Sequence, residues 1–381
     1  MKRLVQRLFQ ALPKSVDAWL RSMSLKINGT VQAGMYSTHQ LLAPSDVEFG
    51  SHGIDEFVQE SYKWPTSVIR TPLGGGHQFH DAGVRYATVS GAVLAGDGRA
   101  FDSRHRLIVE SLATHDYQAI NPGRWAHVPT RELPGQVLAL NWWSGNTNLY
   151  HWLRDVFSRA FVLTGLSGES ITIVCPRNPA PFQRHGLEAL LRRHPGCRLV
   201  EVDPSEKVRV EMLVQPCVNA YVRGNGFLRR EVADFIRDTY LDGVKFGPGV
   251  DLAYISRSQV GSRRLLDESE MLKRVSERFP IQMTRIEQLP FADQLSMMSG
   301  TKVLMGVYGA GLVHVLFTRR GGLIDIHNGD SRETHFGTMS AGLEVPYAMV
   351  QGGPADRNQD FHLGDRGIDS LLATLEQMID H

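Results

Sequence analysis

His151 and Asp155 stand four residues apart in Asn146–Phe161, NTNLYHWLRDVFSRAF. On a helix such a pair meets on one face, so the carboxylate can orient the imidazole or stabilise its charged form. Leu149, Trp152, Leu153, Val156, Phe157 and Ala160 share the opposite face and predict the buried stripe, leaving His151, Asp155, Ser158 and Arg159 outside it. Asn146, Thr147 or Asn148 is placed to cap this helix, which puts His151 in its first turn. A histidine there is a reasonable general base. A solvated surface pair is the plainer account of the same residues, and Trp152 reads as core rather than as a platform for a sugar.

Two further stretches carry charge or bare backbone. Tyr254-Ile255-Ser256 reads as the end of a strand that delivers Arg257 and, shortly after, Arg263 and Arg264. Arginine suits phosphate because its planar fork gives paired, charge-assisted hydrogen bonds, although a solvated basic loop would look the same. In Lys302–Ile326, Val303-Leu304-Met305 predicts a strand, Gly306 and Gly309-Ala310-Gly311 a break, Leu312–Phe317 a short helix and Leu323–Ile326 a second strand. Such a unit sets N–H groups and a helix N-terminus at the carboxyl edge of a sheet, where an anion can sit. The third glycine of a dinucleotide fingerprint is missing, since position 314 is His, and a turn without a ligand explains the residues equally well.

The elements that must hold these residues alternate. Val137–Leu140, Ile171–Cys175, Arg198–Val202 and Val208–Val214 predict strands, with helices at Leu149–Gly165, Gln183–Arg193 and Phe227–Tyr240. After a glycine-rich stretch from Leu241 to Gly249, strands at Leu252–Ser256 and Ile281–Thr284 alternate with helices at Glu268–Arg278 and Phe291–Met298. Asp267 with Glu270 looks like a capping pair. Beyond the glycine unit, a helix at Ser331–Gly342, a strand at Tyr347–Val350 and a helix at Ile368–Ile379 close the chain. Alternation of this kind implies an α/β protein with mostly parallel sheets. We expect an N-terminal extension over 1–70, a Rossmann-like domain over 71–245 and a second over 246–381, facing a central cleft, the last helix being free to return to the first domain. Gly74-Gly75-Gly76-His77-Gln78-Phe79-His80 lacks the lysine of a phosphate loop and a third metal ligand, and reads as a flexible loop.

Composition excludes some partners. A net charge of +1 with no long basic run argues against nucleic acid. No stretch approaches the roughly twenty apolar residues of a membrane span. Leu4, Val5, Leu8, Phe9 and Leu12 share a helical face, so residues 1–12 are candidates for peripheral membrane contact, or for packing on the protein itself. Cys175, Cys197 and Cys217 show no metal spacing and fit a reducing cytosol, with Cys175 as a core thiol.

Taken together and in order, Asn148–Asp155, Tyr254–Arg264 and Gly306–Leu312 resemble glycosyltransferase family 61. That family shows an Asn-x-x-His-Trp-Leu-x-Asp helix, a Tyr-Ile-Ser-Arg loop and a Gly-Ala-His-Gly-Ala-Gly-Leu turn. Leu289-Pro290-Phe291-Ala292-Asp293-Gln294 matches its flank. The family histidine of the turn is Tyr308 here, and its asparagine after the leucine gives way near His314. The resemblance implies a GT-B fold and inverting transfer of a hexose or pentose from a nucleotide sugar, UDP-linked for preference, to a glycan or glycolipid. It points to a bacterial capsular or exopolysaccharide type, cytoplasmic or peripheral on the inner face of the membrane. His151, or Asp155 in competition with it, would be the base. Arg257, Arg263 and Arg264, with Tyr308, Gly309, Ala310, Gly311 and Leu312, would bind the donor, and Asp325 its ribose. No cofactor is expected and no metal, since no Asp-x-Asp occurs. A catalytically lapsed nucleotide-sugar-binding subunit is the alternative, supported by Tyr308. An NAD-dependent oxidoreductase is a third, with Asp325 or Asp330 as its ribose acid.

Overall fold

A computed structural model describes residues 83–104, 106–108, 111, 131–142, 147–166, 168–217, 227–330 and 335–379, with short strands at 30–31, 38–42, 45–48 and 78–81. The proposed membrane-contact helix at 1–12, Asn146 and the glycines at 74–76 lie outside the described residues. Gln78–Asp81, expected as loop, pairs antiparallel with Ser45–Glu48.

The amino-terminal sheet centres on β1 (Val84–Ser90), β2 (Val93–Ala95), β3 (Arg131–Ala139), β4 (Ile171–Pro176), β5 (Cys197–Val202) and β6 (Lys207–Cys217). β6, β3, β4 and β5 lie side by side and parallel, their β-branched runs buried between layers. β1 and β2 join the other flank of β6 antiparallel, so this sheet is mixed rather than mostly parallel. β1 and β2 run end to end along β6, with a step at Gly91 between them, and the chain then reverses at the tight turn around Gly98, whose φ is positive.

The second sheet is wholly parallel. Its strands β7 (Val250–Ile255), β8 (Ile281–Thr284), β9 (Thr301–Val307), β10 (Gly322–His327) and β11 (Tyr347–Gln351) stand in the order β8-β7-β9-β10-β11. Helices α1 (Pro181–Arg193), α2 (Arg230–Tyr240), α3 (Glu268–Ser276), α4 (Phe291–Gly300), α5 (His335–Leu343) and α6 (Gly364–Ile379) complete the layers. The last helix, which the sequence left free to cross over, packs on β11 and α3. Asp267 does not cap α3 with its side chain; its carboxylate accepts from the Leu363 and Gly364 N–H groups at 2.9 and 2.8 Å, which fixes the start of α6 instead. Among the described residues no helix is long and apolar enough to cross a membrane.

One apolar cluster runs from the first sheet into the second, and α2 is its bridge. Tyr240 on α2 is fully buried and accepts a hydrogen bond from Trp152 Nε1 at 2.6 Å. Its ring meets Phe157 on one side of the junction and Phe291 and Phe317 on the other. Arg237, from the same helix, donates to the carbonyls of Leu316 at 3.1 Å and Thr318 at 2.5 Å, closing the C-terminal end of the short helix Ala310–Phe317. Cys175 is a core thiol, pushed up to about 12 by burial and then by Glu201.

Candidate active site

The strand order of the second sheet puts a topological switch point between β7 and β9, whose connections leave toward opposite edges. Ser256-Arg257 follows β7 there, and Tyr308-Gly309 follows β9. The Arg257 guanidinium lies against Gly309, so closely that a side chain at 309 would collide with it. Gly309 is therefore glycine for space, its φ of 171° being open to any residue. Arg257 Nη2 donates to Ser262 O at 3.2 Å, while its buried Nε has no hydrogen-bond partner. Burial, and then the neighbouring charge of Arg263, push the Arg257 guanidinium below its ordinary range, with Glu287 working the other way.

Arg263 adopts a left-handed backbone, φ 58°, which turns its side chain back over the Tyr308 ring, 5.4 Å from the centroid, and onto the Tyr308 carbonyl at 3.3 Å. Neither guanidinium forms a salt bridge among the described residues. Arg264 differs. Its Nε and Nη2 both hold Asp360 Oδ2, at 2.9 and 2.6 Å, and its backbone N–H holds Oδ1 at 2.7 Å. Arg264 thus ties the loop to the segment before α6.

Across the switch point the stretch 149–165 forms three helical pieces instead of one α-helix. Leu149–His151 is α, Trp152–Val156 is π-helical and Phe157–Gly165 is 3-10. Asn148 caps the start, its Oδ1 accepting from the His151 N–H at 3.3 Å. The wide π turn reorients the remainder of the stretch, so Arg154, Asp155, Ser158 and Arg159 are buried rather than solvated. Their polar groups are answered locally: Ser158 Oγ donates to Arg154 O, and Arg159 to the carbonyls of Asp155 and Ser111. Asp155, 1% exposed, takes Arg154 Nη1 on Oδ1 at 2.6 Å and His151 Nδ1 on Oδ2 at 2.7 Å. Burial pushes the Asp155 carboxyl up, but Arg154 and the His151 hydrogen bond outweigh it and hold it below its ordinary value. His151 is 34% exposed, so with Nδ1–H engaged by Asp155 its Nε2 is the nitrogen left to take a proton.

The pieces meet. Leu149–His151 packs on Ala310–Phe317, and a cavity of about 640 Å³ separates the two halves of the chain. Thr147, Asn148 and Phe182 line it on one side, Arg257, Ala310 and Gly311 on the other. His314 clamps the glycine turn from below. It is fully buried, its Nδ1 lies 2.8 Å from Gly311 O, and burial pushes the imidazole down to about 4 against the opposing pull of that carbonyl.

Asp325 lies deeper in the fold. All six residues of β10 are buried, and Asp325 shares its face with His327, whose Nε2 lies 2.9 Å from Asp325 Oδ2. Tyr347 OH donates to the same oxygen at 3.3 Å, and Asp325, like His151, lines neither this cavity nor its neighbour. Sequence reasoning also missed His327, whose ring lies tilted against Tyr308 at 4.7 Å, and His335, whose Nδ1 lies 2.8 Å from Tyr308 OH. His327 ends β10 and His335 begins α5, and neither position announces a role. Among the described residues no group of three or more His, Cys, Asp or Glu could hold a metal ion.

Arg257, Ala310, Gly311 and Leu312 come together in the wall of the cavity at the switch point, while Arg263 lines the neighbouring cavity and His151 lines neither. Residues 149–324, just under half of the chain, match the family described as Glycosyltransferase 61, and that stretch contains both sides of the cavity. A segment of 70 residues, 18% of the chain, is 36% identical to the EGF domain-specific O-linked N-acetylglucosamine transferase of Drosophila melanogaster, of which it spans 13%.

Proposed function

We propose that this chain is a glycosyltransferase that moves a sugar from a nucleotide-sugar donor to a hydroxyl of a glycan or glycoconjugate, with inversion and without a metal. The observation that carries the reading is the part-buried Arg257 guanidinium, with Arg263 beside it and no carboxylate salt bridge among the described residues, in the cavity at the switch point. Two neighbouring guanidiniums, offset only in part by Glu287, are stabilised by a dianion such as a diphosphate.

His151 Nε2 takes the proton of the acceptor hydroxyl as its oxygen attacks the anomeric carbon. The bond from that carbon to the diphosphate oxygen breaks on the opposite face, which inverts the centre. Negative charge grows on the departing diphosphate, which Arg257, the adjacent Arg263 and the helix start at Ala310-Gly311 would stabilise. Asp155 stays ionised and stabilises the imidazolium that forms. The name of the related transferase makes N-acetylglucosamine the first donor sugar to try, as a UDP conjugate.

The test is thermal stability of the full chain with UDP, GDP, CMP or NAD, without metal and then with magnesium. A nucleoside diphosphate at a hundred times its Kd should stabilise the protein by about 2.7 kcal/mol. The gain should be independent of magnesium and absent from Arg257→Ala. Stabilisation by NAD alone, or by a diphosphate that Arg257→Ala binds equally well, would sink the reading.

A further inference from the structure

A second cavity, of about 600 Å³, opens at the same carboxyl edge of the sheet, one strand further along. The two cavities share Val307 in their walls, and Tyr308 with Arg263 stands at the edge of the second. Its chemistry is different from that of the first. His327, Asn328, Asp330, Asp356 and Gln359 supply hydrogen-bonding groups, and Phe361 an apolar wall. Arg263 is the sole guanidinium in its lining, and two carboxylates face that one cation. Away from Arg263 the two carboxylates disfavour a second anion and offer acceptors to a neutral ligand dense in hydroxyls.

The carboxylates are held in place by backbone. Asp330 Oδ2 accepts from the Ala355 N–H at 3.0 Å, and Asp356 Oδ1 from the Asn358 and Asp360 N–H groups at 2.8 Å each. The ribbon carrying them is pinned to β10 and β11 through Gly329 N–H to Gly353 O at 2.7 Å and Gln351 Nε2 to Gly329 O at 2.8 Å. His327 is fixed from beneath by Asp325. Tyr308 is no stacking platform, since His327 packs on its ring and Arg263 lies over it. Binding here must therefore come from hydrogen bonds to hydroxyls rather than from a base or an aromatic ligand.

We propose that this second cavity is a pyranose subsite, binding a neutral sugar ring beside the diphosphate held at Arg257. The assignment rests on the glycosyltransferase reading and adds to it where the sugar goes. The ring is either that of the donor or the terminal residue of the acceptor, and one experiment separates them.

Ala355, half-buried on the cavity wall, is replaced by tryptophan to fill the space, and Asp330→Asn removes a charge at constant size. Saturation-transfer NMR and titration on the full chain compare UDP, UDP-N-acetylglucosamine and a neutral β-linked chito-oligosaccharide. If the subsite takes the donor sugar, Ala355→Trp weakens UDP-N-acetylglucosamine by about tenfold and leaves UDP unchanged. If it takes the acceptor, the variant loses saturation transfer to the oligosaccharide and keeps both nucleotides. Asp330→Asn should move the same ligand in the same direction, by less. The proposal is overturned if both variants bind all three probes as the parent does. Should neither nucleotide bind the parent protein, the donor reading falls, while the oligosaccharide still decides the subsite.

Discussion

The molecule contains two histidine–aspartate pairs of nearly equal length, one in each half, and they are built differently. In His151–Asp155 the carboxylate is buried against a buried arginine, Arg154, and the imidazole reaches solvent. In His327–Asp325 both side chains are buried, no arginine or lysine is paired with the carboxylate, and Asp325 Oδ1 is without a hydrogen-bond partner. Arginine cannot shed its proton, whereas histidine can. The first carboxylate therefore has a permanent counterion and stays charged whatever its histidine does. On the proposed mechanism, that independence is what a base at His151 would need. The second pair has no arginine or lysine at its carboxylate among the described residues; that carboxylate instead faces Tyr347, whose hydroxyl burial and then Asp325 push well above its ordinary value. It suits positioning.

The sharpest way to break this contrast is kinetic. His151→Ala should lower kcat by about 10² to 10⁴-fold, the usual contribution of a general base, and leave donor KM nearly unchanged. His327→Ala should instead act mainly on KM for a sugar-bearing substrate. Equal kcat losses in the two variants would show that the pairs are not functionally distinct. Stability gives the next largest effect. Asp155→Asn strands Arg154 in the interior and should cost about 3–5 kcal/mol in chemical denaturation. Asp325→Asn strands no permanent cation and should cost about 1–3 kcal/mol. If Asp325→Asn proves the more damaging, the counterion account is wrong.

The same contrast shows what the sequence could and could not reveal. Helical spacing predicted that His151 and Asp155 meet, and strand–glycine–helix alternation predicted the switch-point turn, because both are local regularities. The burial of Asp155 was invisible, since the π turn at Trp152–Val156 shifts the helical face and no residue type announces it. The partners of Arg264 and the depth of Asp325 were invisible for a non-local reason. Arg264 is engaged by Asp360, nearly a hundred positions away, and Asp325 by its place in a strand covered on both faces. The mixed first sheet was missed because β1 and β2 lie end to end along β6, and nothing local in their residues states which way a strand will pair.

A third histidine shows what burial does to an imidazole that faces no carboxylate. His314 is as buried as His327, but its ring faces a backbone carbonyl and the amide of Gln294, with Gln294 Oε1 at 3.0 Å from Nε2. Burial pushes it down to about 4 from an ordinary 6.5. The folded state thus refuses a proton that the unfolded chain accepts between those values. Stability from this residue is complete above pH 6.5 and is lost as pH falls toward 4. A displacement of that size corresponds to about 3 kcal/mol. Carboxylates titrate in the same range, so the measurement must be a difference. His314→Asn places at this position a side chain that does not titrate. Unfolding free energies of both proteins are compared from pH 7 to pH 4. The parent should lose about 3 kcal/mol more than the variant over that span. A difference that stays flat would mean that His314 is protonated in the folded state, held by its two acceptors, and that burial alone does not decide whether a histidine in this protein carries charge.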